Sequence, residues 1–277
     1  MAEYKARRFK IMDAKFLIDN ISYSVDFSSF NDLSIPINFN GKQPNTYGVD
    51  KAISSAYEDG KFIGDTRKGG PCNFETYSIT PHCNGTHTEC IGHITDERIS
   101  ILSSLNSVLF PSTLISITPK SNQESYVPKI EANDFLITKE SLEKKLNDVS
   151  DSFLEGLIIR TLPNLESKKS IDYMKQSPSF FTLEAMKYIR SRGVKHLMVD
   201  TPSVDRLFDD GHLSCHNIFW DTTSKKLNTA TIHFTITEMI YVNNNICDGS
   251  YFTNLQIPAF NSDAAPSRPI IFSINEL

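Results

Sequence analysis

Pro81-His-Cys-Asn-Gly-Thr-His-Thr-Glu-Cys-Ile-Gly-His93 is the stretch from which this 277-residue chain is best read. The protein has seven histidines, and three of them, His82, His87 and His93, lie in this one segment. An even spread would place about 0.3 of a histidine in such a window, so the cluster asks for a chemical reason. Glu89 stands among the histidines, with Cys83 and Cys90 beside it. Imidazole, carboxylate and thiolate are the usual ligands of zinc and related transition ions. Asn84-Gly85 marks a turn. If the chain is extended beyond it, His87, Glu89 and Ile91 point to one side, because side chains alternate along a strand. His87 and Glu89 can then hold one ion together, and His82 or Cys83 can fold back from before the turn to join them. His93 shares their parity and suits a further ligand or a general base.

Two more candidate ligands lie far downstream. From Ala230 to Ile240 the even positions are apolar except Glu238, and the odd positions Thr231, His233, Thr235 and Thr237 are polar, which predicts a strand. Glu238 falls on the apolar face, where a carboxylate is costly unless paired or bound to a cation. His216 enters the apolar stretch that ends at Trp220. Asp200-Thr-Pro-Ser-Val-Asp205 follows an apolar run. Loops at the C-terminal ends of strands commonly carry functional groups in α/β folds; helix capping by Asp200 or Ser203 is the plainer alternative. Phe180, Phe181 and Trp220, with Phe219 and Tyr47, are candidates to wall a substrate-binding pocket, although large aromatic residues more often fill a core.

The rest of the chain supplies the frame. Hydrophobic residues make up 39%, enough for a packed core. A net charge of −5 argues against nucleic acid as a partner, and no apolar run approaches the roughly 18 residues of a membrane span. Residues 1–15 are basic in places without an apolar stretch behind them, which reads as a solvated leader rather than a secretory signal. Five cysteines with no C-x-x-C pair read as reduced thiols of a cytoplasmic protein. Ile101–Thr118 reads as buried strand or strand plus turn, and Leu142–Leu146, capped by Thr138 or Ser141, as a short helix. Thr182 caps a second helix, with Leu183, Met186 and Ile189 on one face and Gly193 at its end. Val194–Asp200 follows at once as an apolar strand, and Pro269–Ile274 ends the chain as another. Helix, glycine and strand in that order make an α/β unit. The prediction is a single mixed α/β domain over residues 16–277.

These residues resemble the cyclase-type metal-dependent hydrolases, a family that includes kynurenine formamidase, an enzyme of tryptophan catabolism, and isatin hydrolase. The family pattern is H-x-G-T-H-x-D-x-P-x-H. Gly85-Thr86-His87 matches its G-T-H, Glu89 stands for the Asp, and His93 matches the last His. Asp200–Asp205 resembles the family's D-T-P-S-x-D, His216 and Glu238 its later metal-binding His and Glu, and Ala265-Pro-Ser-Arg268 the P-x-R before its last strand. The likeness runs from about Phe16 to the C-terminus. It implies a central barrel-like β-sheet with flanking helices, assembled as a homodimer or homotetramer. It implies one or two ions of zinc or manganese, held by His87, Glu89 and the ligand before G-T-H, with His216 and Glu238 completing a second position. His93 would be the general acid/base.

Three departures from the pattern stand out. Cys83, not His82, lies four residues before His87, where the family has His; Thr80-Pro81-His82 nevertheless resembles the family's approach to the site and favours His82. Glu replaces Asp at position 89. Ile91 and Gly92 replace Pro and its neighbour. The activity this implies is arylformamidase-like: metal-activated water hydrolyses a small aryl formamide. A cyclic amide or lactone hydrolase, and a metal-binding protein without turnover, are the alternatives.

Overall fold

Thr88 and Thr237 explain how the histidine segment joins the distant strand carrying Glu238. Their hydroxyls meet at 2.8 Å on one face of an antiparallel pair, and the ligand-type side chains occupy the other. The computed structural model describes residues 13–121 and 124–277. The leader expected at residues 1–15 falls outside them except for its last three residues, which begin the first strand.

The main sheet is built from β1 (Asp13–Ile18), β2 (Ile21–Asp26), β3 (Asn31–Asp32), β4 (His87–Cys90), β5 (Leu109–Ile117), β6 (Gly156–Thr161), β7 (His196–Val199), β8 (Thr235–Glu238), β9 (Gly249–Asn254), β10 (Ala264–Pro266) and β11 (Ile270–Glu276). Its order is β1-β2-β11-β9-β5-β6-β7-β8-β4-β10, with β3 also on β11. Strands β5 to β8 are parallel, and their neighbours on both sides run antiparallel. The parallel strands are covered on both faces, as such strands generally are. Ile115, Ile117, Leu157, Ile159, Leu197 and Val199 face one core, where the helices pack. Phe110, Leu114, Ile158 and Met198 face a second core. This is the expected single mixed α/β domain.

Besides a four-residue helical turn at Ile101–Ser104, the α-helices of the described residues are α1 (Pro81–Asn84), α2 (Lys139–Leu146), α3 (Leu183–Ser191) and α4 (Ser214–Phe219). Thr138, rather than Ser141, caps α2, and Thr182 caps α3, accepting from the amides of Ser141 and Ala185. Gly193 follows α3 at φ 79°, a left-handed conformation that costs glycine little. Two expectations need correction. The strand foreseen over Ala230–Ile240 is confined to Thr235–Glu238, because Thr229–Thr231 forms a 3-10 turn capped by the Asn228 side chain. The turn foreseen at Asn84-Gly85 is the end of helical turn α1, and Gly85 itself is extended.

His196 is buried at the start of β7, stacked on Phe110 with ring centroids 4.3 Å apart. Burial, with help from Lys195, pushes its pKa down to about 4. The unfolded chain, titrating near 6.5, therefore binds more protons than the folded one between those values, and stability must fall as pH drops from about 6.5 toward 4. Between pH 7.5 and 4.5 the expected loss from this residue is about 2–3 kcal/mol. Urea unfolding of wild type and His196→Leu at both pH values checks it. The variant should lose less stability on acidification, and parallel losses would contradict the assignment.

Candidate metal centre

Strand β4 turns His87 and Glu89 to the same face, and its pairing with β8 sets Glu238 directly opposite His87 and Ile236 opposite Glu89. The parity expected from the sequence thus holds for His87, Glu89 and Glu238. Thr86 fixes the strand entry. Its hydroxyl donates to the Met239 carbonyl at 2.5 Å and accepts from the Ile35 amide at 2.7 Å. Gly85 lies so close to Ile37 that an added Cβ would sit 3.2 Å from its Cγ1.

His93 arrives by a different route from the one expected. The extended chain stops at Cys90, and Ile91–His93 is a 3-10 turn. Ile91 drops into the core, and His93 swings back toward Glu89, its Nε2 3.7 Å from Oε2. Gly92 makes that turn possible, because a Cβ there would meet the Ile99 carbonyl oxygen at 2.1 Å. The two residues that depart from the family pattern therefore form the bend that delivers His93.

Helical turn α1 presents His82, whose Nδ1 lies 3.1 Å from Glu89 Oε2. Neighbouring Cys83 is buried, and its thiol is pushed up to about 11 by burial and by Glu238. Among the described residues, the ligand atoms of three overlapping groups lie within 4.8 Å of one another: His82, His87 and Glu89; Glu89, His93 and His216; and His82, His93 and Asp263. Cys83 belongs to none of them.

His216 comes from α4, and Asp205 sets that helix in place. One oxygen of Asp205 accepts from the Cys215 amide at 2.7 Å; the other accepts from the His216 amide at 3.1 Å and meets His216 Nδ1 at 2.5 Å. A carboxylate behind the ring fixes its orientation and turns Nε2 inward. That Nε2 lies 3.1 Å from Glu89 Oε1 and 3.9 Å from Glu238 Oε1. Glu238 Oε1 also accepts from the Val204 amide at 3.0 Å, and Oε2 stands 3.3 Å from His87 Nε2. The two oxygens of Glu89 thus face different partners, Oε2 toward His82 and His93 and Oε1 toward His216.

The electrostatics follow from this crowding. Burial would raise the Glu89 carboxyl, but His93, His216 and His82 hold it well below the usual range. Burial would lower His216, but Asp205 and Glu89 hold it well above. His82, opposed by burial, is raised to about 10 by Asp263 and Glu89.

The donor set fits a transition metal. His87 Nε2 and Glu89 Oε2 are buried with polar neighbours at 3.3 and 3.1 Å but no well-directed hydrogen bond, which is costly unless something else occupies their lone pairs. Ions bound by His and carboxylate at about 2.0–2.2 Å hold neighbouring ligands roughly 3.0–3.5 Å apart. The contacts His82–Glu89, His87–Glu238 and His216–Glu89, at 3.1, 3.3 and 3.1 Å, have that spacing.

Comparison with known proteins agrees with the cluster. The sequence pattern of the family described as "Putative cyclase" matches residues 31–206, well over half of the chain. The chain belongs to the cyclase family. No curated protein matches it in sequence. Several solved structures share its fold. A predicted metal-dependent hydrolase from Bacillus stearothermophilus is 18% identical, with a TM-score of 0.59 over 88% of this chain and 98% of that one. Isatin hydrolase A from Ralstonia solanacearum is 13% identical, with a TM-score of 0.59 over 88% and 91%. An isatin hydrolase bound to the product analogue thioisatinate is 11% identical, with a TM-score of 0.59 over 89% and 93%.

Of the remaining candidates of this cyclase-family chain, Trp220 packs behind His216, with ring centroids 5.7 Å apart. Phe180, Phe181 and Trp220, expected to bind substrate, are fully buried in the helix-side core, where no ring face is left for a ligand. Trp220 donates its Nε1 proton to the Phe234 carbonyl at 2.9 Å. Of the aromatic candidates Tyr47 is open to solvent, 47% exposed, and it meets Phe208, 62% exposed, edge to face. Tyr47 lies close enough to Glu238 for that carboxylate, after burial, to raise its phenol pKa. Asp200 is structural: it accepts from Thr161 and pairs with Lys168 at 2.7 Å. Asp263 has no signal in the sequence. It stands beside His82 and His93 only because β10 pairs with β4, placing Ala264 opposite Glu89.

Proposed function

We propose that this chain is a metal-dependent hydrolase that cleaves the C–N bond of a small amide, with an aryl formamide as substrate. The observation that carries this is Glu89, buried with its two oxygens turned to different histidines, next to a histidine that stays partly open. His82, His87, Glu89, His216 and Glu238 would hold zinc or manganese as one or two ions. A bound metal supplies a Lewis acid and lowers the pKa of water to about 7.

His93 performs the proton work. Its side chain is 28% exposed, so substrate and water can reach it, and its Nε2 faces Glu89. Nε2 takes a proton from the attacking water and returns it to the amine nitrogen as the C–N bond breaks. With an aryl formamide the products are formate and the arylamine. The exposed edge-to-face pair of Tyr47 and Phe208 suits an aromatic leaving group. A cyclic amide is the second reading, favoured by the fold shared with isatin hydrolases.

Elemental analysis of purified protein, with formamide, cyclic amide and lactone substrates run on the same sample, tests the proposal. The expected result is a stoichiometric transition metal and hydrolysis of an aryl formamide. Preference for the cyclic amide would select the second reading. Full metal content with no turnover on any substrate would leave a metal-binding protein, and absence of metal would overturn the site.

A further inference from the structure

Asp263 presents a single oxygen, Oδ2, to two histidines at once, 3.1 Å from His82 Nε2 and 3.3 Å from His93 Nδ1. The two rings lie nearly parallel, with centroids 4.3 Å apart. The backbone beneath the carboxylate is pinned. The Asp263 carbonyl accepts from the Cys90 amide at 3.1 Å, and Ser262 accepts from Ile101 at 2.7 Å. The carboxylate is 26% exposed, and its other contacts with the cluster run only through these two rings.

A neutral imidazole has one N–H, and an ionised carboxylate only accepts. The group that receives the N–H therefore decides which nitrogen turns its lone pair the other way. With a metal in place of the Nδ1 proton, His82 donating from Nε2 would turn its Nδ1 lone pair to the Glu89 side, where Nδ1 lies 3.1 Å from Oε2. His93 donating from Nδ1 leaves its Nε2 lone pair on the Glu89 side. His87 and His216 follow the second pattern, with Nδ1 on the Gly85 carbonyl and on Asp205. His82 is the exception: it turns Nδ1 inward, and Asp263 is what stands behind it.

We propose that Asp263 is a positioning residue that selects opposite tautomers in His82 and His93, making one a ligand through Nδ1 and the other a base through Nε2. This rests on the hydrolase reading for the role of His93, but the tautomers themselves do not. Leu at 263 keeps the approximate shape but offers no acceptor, so it receives neither N–H group, whereas the single amide oxygen of Asn could still face both rings. Glu restores the charge on a longer arm.

Nitrogen-15 NMR of the histidine side chains in zinc-loaded protein, with chelator competition for zinc, tests the assignment. Wild type should show His93 protonated at Nδ1 and His82 protonated at Nε2. Asp263→Leu should change the tautomer balance of at least one ring and weaken zinc binding by about 10–100-fold, the usual effect of removing a carboxylate behind a ligating histidine. Asp263→Glu should recover part of that affinity. On a substrate wild type hydrolyses, with zinc kept saturating, Asp263→Leu should lower kcat with KM changed less than about twofold, since the residue touches the two rings and not the substrate. A His93 ring protonated at Nε2 in wild type, or a Leu variant with unchanged tautomers and zinc affinity, would overturn the proposal. Correct tautomers and tight zinc in a protein that hydrolyses nothing would defeat the hydrolase reading and leave this assignment standing.

Discussion

His93→Gln is expected to lower hydrolysis by roughly 10²–10⁴-fold while metal content stays at the wild-type level, the usual span for loss of a general acid/base. That corresponds to about 3–5 kcal/mol of transition-state stabilisation. The expectation comes from where His93 stands. Its Nε2 is 3.7 Å from Glu89 Oε2, the longest of the three histidine contacts with that carboxylate, against 3.1 Å for His82 and for His216. Its side chain is also the most open of the three, 28% exposed against 25% and 2%. A ligand lost from the centre would take metal with it; a base lost from its rim takes only the proton. Glutamine reaches a similar distance and still bonds Asp263, so the change removes basicity more than shape. The check is kcat/KM measured beside elemental analysis of the same preparation. Loss of metal in His93→Gln would make the residue a ligand, and unchanged turnover would remove it from the chemistry.

Much of this centre is written locally, and the rest is not. His87 and Glu89 are legible because a short run of alternating residues does become a strand, and Glu238 because a carboxylate on an apolar face needs a partner. The choice between His82 and Cys83 is not legible. It depends on α1 being a helical turn, where neighbouring side chains point about 100° apart, rather than a loop that can adjust. Strand parity points His93 the right way for the wrong reason: it arrives by a 3-10 turn, because Ile91 has a core to fill. Asp205 lies in a motif that the sequence marks, yet its task, holding the first turn of α4, appears only once the helix is set against it. Asp263 is 170 residues from His93 along the chain, and only the β10–β4 register brings them together. The aromatic residues mislead for a plain reason. Phe180, Phe181 and Trp220 are large and apolar, and burial claims such side chains before binding does.

Glu89→Gln is expected to strip the centre of metal altogether, and the comparison with His87→Ala reports how many ions it holds. Glutamine fills the same space but carries no charge and has only one acceptor oxygen. In the wild-type protein Oε2 faces His82 and Oε1 faces His216, so the carboxylate touches both halves of the donor set. His87 groups with His82 and Glu89 and meets Glu238 through the 3.3 Å contact of its Nε2, but it does not group with His216. If two ions are held, His87→Ala loses about one equivalent and Glu89→Gln loses both; if one is held, both variants fall to background. Thermal unfolding gives an independent reading. A ligand at a hundred times its Kd stabilises the folded state by about 2.7 kcal/mol. For a chain of this size that is a rise in Tm of roughly 5–10 °C on adding metal. Wild type should show it, and Glu89→Gln should show none. A Glu89→Gln variant with wild-type metal content and the same thermal shift would mean that Glu89, despite its three histidine neighbours, is not a ligand. The buried carboxylate would then be a charge kept in place by the imidazolium groups around it, and the metal would have to rest on His87, His216 and Glu238 alone.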